Sequence, residues 1–138
     1  MPVAGVLMDN NQRNIQLLGI ARKAGLLAVG GEAVSMAARA GKARLIISAA
    51  DASEGSLRRA KHSSITSRTT HVCVPYTKFE LGNVTGRGSP GTVAILDIGI
   101  AAGFVRKLAE AQPERYGDTA EILEGMADKS KRKRRAGL

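Results

Sequence analysis

ARLIISAA, residues 43–50, is an almost unbroken apolar run between turn-forming residues. A strand with one wet face alternates polar and apolar positions; this one does not, so it reads as a strand buried on both faces of a sheet. TVAILDI, residues 92–98, has the same character. Working upstream, QRNIQLLGIARKAG (12–25) sets Ile15, Leu18 and Ala21, with Leu17, Ile20 and Ala24, at helical spacing. Asn10 or Asn11 can cap that helix and Gly25 stops it. Leu26–Val29 is too short for a helix and reads as a strand, and Gly30-Gly31 opens a second helix, EAVSMAARA, that ends at Gly41. Downstream, Asp51 or Ser53 caps a helix over EGSLRRAKHSS, THVCVPY is a strand closed by Pro75, and Thr77 caps a brief helix, KFELG. The glycine-rich GNVTGRGSPG (82–91) then leads into the second apolar strand. IAAGFVRKLAEA is a helix broken by Pro113, and GDTAEILEGMADKSKR, capped by Asp118 or Thr119, is a last helix running into the C-terminal tail. Helices alternating with strands, two of them apolar throughout, predict a three-layer α/β/α sandwich with a central, mostly buried sheet.

The 138 residues predict one domain plus trimmings: a body over 1–112, an acidic helical extension over 113–128 and a basic tail over 129–138. Hydrophobic residues make up 43% of the chain and aromatics 3%, so the core is built from aliphatic side chains. Tyr76, Phe79, Phe104 and Tyr116 are too few and too scattered to form a platform on which successive bases stack. Charge is unevenly placed. Residues 1–107 carry 14 basic and 6 acidic side chains, residues 108–128 carry 1 and 6, and the tail KSKRKRRAGL carries 6 and none. Two cationic blocks parted by an acidic stretch point to a polyanionic partner, with nucleic acid the commonest. A solvated surface and a solubilising end is the plainer account of the same charges.

Catalytic signatures are sparse. His62 and His71 have no motif partner at metal-ligand spacing, and there is neither C-x-x-C nor H-E-x-x-H. Asp51 and Asp97 stand at strand ends, where the simpler roles are capping and turn formation. Cys73 is the single cysteine, which excludes an internal disulfide, and reads as a small core residue. MPVAGVLMDN has no basic residue ahead of its short apolar stretch, so it lacks the start of a signal peptide, and the expected location is cytoplasmic. GNVTGRGSPG precedes a strand rather than a helix and lacks the Lys-Ser or Lys-Thr of a phosphate-binding P-loop. Arg87 at its centre can reach a phosphate or stack on a base; it can equally be an incidental residue of a plain connection. Gly30 and Gly31 lead into a helix start with Glu32 in its first turn, where unpaired N–H groups and the absence of side chains allow another backbone to approach. Glu32 also complements the helix dipole, a purely structural role. Arg22, Lys23, Lys42 and Arg44 flank this segment.

LLGIARKAGLLAVGGEAV (17–34), RAGKARLIISAADAS (39–53), ELGNVTGRG (80–88) and VAILDIGIAAGFVRKL (93–108), in unbroken order, resemble the superfamily of kink-turn RNA-binding ribosomal proteins of the large subunit, which includes the archaeal and eukaryotic seventh-A-type and thirtieth-type proteins. Within it the chain is most similar to the small bacterial branch described as YlxQ-like. The resemblance implies the same three-layer sandwich, RNA binding without catalysis, no cofactor and no metal. It implies an RNA surface in two parts. One is the start of the second helix, with the pattern G-x-Asn-Glu-x-x-Lys; the other is the loop after E-L-G, here Thr85, Gly86 and Arg87. With Gly30 on the family glycine, Glu32 takes the Asn position, Ala33 the Glu position and Met36 the Lys position, so the chain departs from the pattern at all three. A one-residue shift restores the acid at Glu32 but sets Gly31 at Asn and Ser35 at Lys; the first register needs no gap before Leu45. Ala33 cannot accept a hydrogen bond from a guanine edge and Met36 brings no charge to a phosphate, and each lost contact removes on the order of 1–3 kcal/mol of discrimination. General affinity survives, because it rests on phosphate contacts. The resulting expectation is a protein that binds structured RNA, in particular ribosomal RNA, alongside ribosomal or RNA-processing proteins. Gly30, Gly31, Glu32, Met36, Thr85, Gly86 and Arg87 form its reading edge. Arg22, Lys23, Lys42 and the tail cations Lys131, Arg132, Lys133, Arg134 and Arg135 lie on phosphates. The alternatives are a protein-interaction adaptor on the same fold and a nucleotide-binding α/β enzyme supported only by Asp51, Asp97 and the glycine loop.

Overall fold

The computed structural model describes residues 10–137. The reading of MPVAGVLMDN lies outside the described residues up to Asp9, as does the Asn10 side chain. The elements are α1 (Asn10–Lys23), β1 (Leu27–Val29), α2 (Gly31–Arg39), β2 (Leu45–Ser48), α3 (Glu54–Ser67), β3 (Thr70–Cys73), α4 (Lys78–Thr85), β4 (Thr92–Ile95), α5 (Ile98–Ala111) and α6 (Pro113–Ala136). The architecture is a three-layer α/β/α sandwich. Its four-stranded sheet has the order β1-β4-β2-β3, with β2 and β3 parallel and β4 antiparallel to both β1 and β2. The chain divides into two compact units, one over Leu18–Asp97 and one made of the segments before and after it.

In the Leu18–Asp97 unit the two apolar runs become the two central strands. Every residue of β2 and β4 is buried. Successive side chains on a strand point to opposite faces. Ile46 pairs with Ala94 and packs with Val34 and Ala38 of α2 and Ala60 of α3. The small alanines let both helices approach the sheet closely. Leu45 and Ile47, paired with Ile95 and Val93, line the other face and are equally buried. Burying each large aliphatic side chain in this way is worth about 1.5–3 kcal/mol.

Helix boundaries follow local chemistry. Gly25 at φ 75° and Gly41 at φ 71° end α1 and α2 in the left-handed region. Ser53 caps α3, its Oγ accepting from Ser56 N at 3.1 Å. Asp51 serves a different helix: its Oδ1 accepts from Lys78 N at 2.8 Å and so anchors the first turn of α4. Thr77 and Glu80 complete a reciprocal capping box there, at 3.1 and 2.9 Å. With that start, α4 runs past the expected KFELG as far as Thr85, so the glycine-rich connection is only Gly86–Gly91.

In the other unit, α5 and α6 pack against each other. Buried Asn14 of α1 donates through Nδ2 to the Phe104 carbonyl at 2.9 Å. α6 begins at Pro113, earlier than the expected Asp118 or Thr119 cap, because proline at the first helical position costs no hydrogen bond. It continues through the acidic stretch and the basic tail to Ala136.

Candidate nucleic-acid interface

Gly30 stands between β1 and α2 at φ 96° and ψ 154°, a conformation that essentially only glycine adopts. Its N–H donates to the Thr92 carbonyl at 2.9 Å and its carbonyl accepts from Val34 N at 3.0 Å. No side chain caps the start of α2. Apart from the adjoining chain, no atom lies within 4 Å of where a Cβ would stand on Gly30 or Gly31, so the surface there is open to a close neighbour. Glu32 follows in the first turn, exposed, and Met36, 57% exposed, lies one turn further along the same face.

The second loop begins at Gly86, which ends α4 at φ 71° and donates its N–H to the Gly82 carbonyl at 2.9 Å. The loop then folds back over α4: a Cβ on Gly82 would stand 1.7 Å from the Gly88 carbonyl oxygen. This fold-back leaves Arg87, Gly88 and Ser89 exposed. It ends where the Gly91 carbonyl accepts from Ala49 N at 2.9 Å and Thr92 enters β4. Because Thr92 O also holds Gly30 N, the glycine helix start and the 86–91 loop border the same end of the sheet, with Val29 paired to Val93 beside them.

Arg22, at the end of α1, joins this region through its side chain: its Nη1 lies 3.6 Å from the position a Cβ would take on Gly86. Lys23 beside it is exposed. Thr85 leaves the set, because it is fully buried and its hydroxyl donates to the Leu81 carbonyl at 2.8 Å. Lys42 sits at the opposite end of the sheet. It follows Gly41, and two residues later Arg44 N donates to Ile95 O at 2.8 Å, at the far end of β4. The Thr92–Ile95 strand separates that end from Gly30 by roughly 10 Å, at about 3.3 Å per residue. Lys131 to Arg135 belong to α6, in the other unit, and all are exposed.

One feature of the Leu18–Asp97 unit was not read from the sequence. Arg39 of α2 and Arg58, Arg59 and His62 of α3 line a groove of about 770 Å³ that Gly31, Glu32 and Thr92 also border. The sequence places Arg58 and Arg59 on one stretch of α3 with His62 a turn further on, but only tertiary packing sets them beside α2. Among the described residues no three or more His, Cys, Asp or Glu side chains gather as a metal site, and no helix is long and apolar enough to cross a membrane.

The fold recurs in solved structures. A Bacillus halodurans protein of unknown function superposes with a TM-score of 0.61 at 22% identity, over 68% of this chain and 94% of that one. The Giardia lamblia 15.5kD RNA binding protein superposes with a TM-score of 0.57 at 15% identity, over 75% of this chain and 88% of that one. No family model and no curated protein matches the chain by sequence.

Proposed function

We propose that the chain is a non-enzymatic RNA-binding protein that lays its Gly30–Glu32 edge and 86–91 loop against structured RNA. The supporting observation is the Gly30 N to Thr92 O hydrogen bond at 2.9 Å, which ties the open helix start to the Arg87 loop at one sheet end. Arg22 beside Gly86 and exposed Arg87 supply charge for phosphates. Glycine at 30, 31, 86 and 88 removes the side chains that would hold a backbone away. The shared fold with an RNA-binding protein from Giardia is in keeping with this reading. So is the resemblance to the YlxQ-like branch of the kink-turn superfamily, which favours ribosomal RNA, on the ribosome or during its assembly, in the cytoplasm. Ala33 and Met36 point away from strict kink-turn reading and towards a looser, shape-based fit.

Fluorescence anisotropy with a kink-turn duplex and a plain hairpin, at 50 mM salt, tests this. Both RNAs are expected to bind, with less than about tenfold preference for the kink-turn, given the missing base contacts. Arg22→Ala with Arg87→Ala is expected to weaken both by about tenfold. Absence of binding to either RNA would end the proposal. Exposed Met36 favours one second reading, a protein-interaction adaptor on the same edge. A partner retained on the protein after exhaustive nuclease treatment, and released by Met36→Lys, would favour that alternative.

A further inference from the structure

We propose that the groove between α2 and α3 is a second RNA contact, a track for the phosphate backbone of a strand that continues past the Gly30–Glu32 edge. This rests on the RNA-binding reading above and extends it to residues outside the two loops. Arg39 reaches the groove from α2, and Arg58, Arg59 and His62 from α3. All four are exposed. Among the described residues the ion pair formed is Lys107 with Glu110, in the other unit, so the three guanidinium groups here keep their donors for a ligand. Glu32, at the rim shared with the loop edge, is the groove's one carboxylate.

The lining decides which part of a nucleic acid fits. It contains no Phe, Tyr or Trp, so it offers no broad platform for successive bases, and stacking is confined to the His62 ring and the guanidinium planes. Its lining includes buried Val34 and Ala60, and apart from Glu32 at the rim and the Ser56 and Thr92 hydroxyls, which bond each other at 3.1 Å, its polar groups are guanidinium, imidazole and serine hydroxyls. Those are donors suited to phosphate oxygens. Arg58 and His62 stand four residues apart on α3, about 6 Å along its axis, and Arg39 faces them from α2, so a strand following the helix meets donors at intervals instead of at one point. A volume of about 770 Å³ is far more than a lone anion fills. Continuity completes the argument: Gly31 and Glu32, both exposed, belong to both the groove and the Gly30–Glu32 edge, so a strand leaving one enters the other.

The test uses the full chain and two RNAs: a hairpin, and the same hairpin with a ten-nucleotide single-stranded extension. Arg58→Glu with Arg59→Glu is compared with Arg106→Glu with Lys107→Glu, an equal charge change on exposed residues of α5. The groove variant is expected to bind the extended RNA at least tenfold more weakly than the α5 variant does. Its salt dependence should be shallower by about one to two units of log–log slope, the share of two lost phosphate contacts. On the bare hairpin the two variants should differ little. Arg58→Gln with Arg59→Gln should show a smaller effect of the same kind, which separates loss of charge from misfolding. Equal weakening by the groove and α5 variants on the extended RNA would overturn the track while leaving the RNA-binding reading intact. Failure of the unmodified protein to bind either RNA would overturn both. An acidic polyglutamate peptide that binds the groove in an Arg58- and Arg59-dependent way, with RNA affinity unchanged, would overturn it in favour of a protein ligand.

Discussion

His71 shows how much one side chain reports on its surroundings. It lies half-buried on the edge strand β3, and its Nε2 is 2.8 Å from the Oγ of fully buried Ser48. Burial, and to a lesser degree the nearby Lys61 ammonium, hold its pKa below the ordinary 6.5. The folded chain therefore binds the proton less readily than the unfolded chain. The stability His71 contributes is fully present above pH 6.5 and is lost as pH falls through that value towards the lowered folded one. Melting temperature is expected to drop between pH 8 and pH 5, with a smaller drop in His71→Gln. Parallel pH profiles for the two proteins would show that His71 carries no such linkage. The sequence offered His71 only as a histidine without a metal partner; its neutral, hydrogen-bonded role depends on Ser48 and Lys61, 23 and 10 residues away.

Among the elements, α4 and its loop carry the tightest steric constraint on the candidate interface. Asp51 and the Thr77–Glu80 box fix where the helix starts, and Gly82 permits the loop to fold back over its last turn. A methyl group on Gly82 would meet backbone, the Gly88 carbonyl, so relief requires the loop to move. Gly82→Ala is expected to destabilise the protein by about 1–3 kcal/mol, the usual range for overpacking, and to weaken RNA binding beyond that of an equally destabilised core variant such as Ile47→Val. Unchanged melting and unchanged binding would mean the loop is not held in this way. Gly82 sits in a segment that reads as turn-forming, and nothing local distinguishes a glycine required by a contact six residues later from one that ends a helix. That is why the expected loop began four residues too early.

For the molecule as a whole, charge is the dominant property. The net charge is +9, and removing residues 129–138 takes it to +3. Within α6 the tail cations surround the helix axis at 100° steps, so like charges meet at i, i+3 and i, i+4, as Lys131 and Arg135 do, each pair at a cost of a few tenths of a kcal/mol. A polyanion relieves that repulsion. Deleting 129–138 is expected to weaken binding to structured RNA at least tenfold at 50 mM salt and to flatten the salt dependence, since each phosphate contact contributes roughly 0.7–0.9 to the slope. An unaltered slope would remove the tail from the interface. The two apolar runs, 43–50 and 92–98, were enough to define a doubly buried sheet, because burial on both faces leaves few positions for polar residues, here Ser48 and Thr92, each with a side-chain hydrogen bond, and so writes itself into composition. The stops at Gly25 and Gly41, and the charge blocks, were equally local. The positions of Lys42 and the α2–α3 groove were not, because they depend on strand order: β4, last in sequence, inserts between β1 and β2. That insertion joins Gly30 to Thr92, carries Lys42 to the far end of the sheet and gives α2 and α3 a common face on which to pack. Pattern along a chain records which residues avoid water; which of them meet is settled by pairings between strands up to 68 residues apart, such as Leu27 with Ile95.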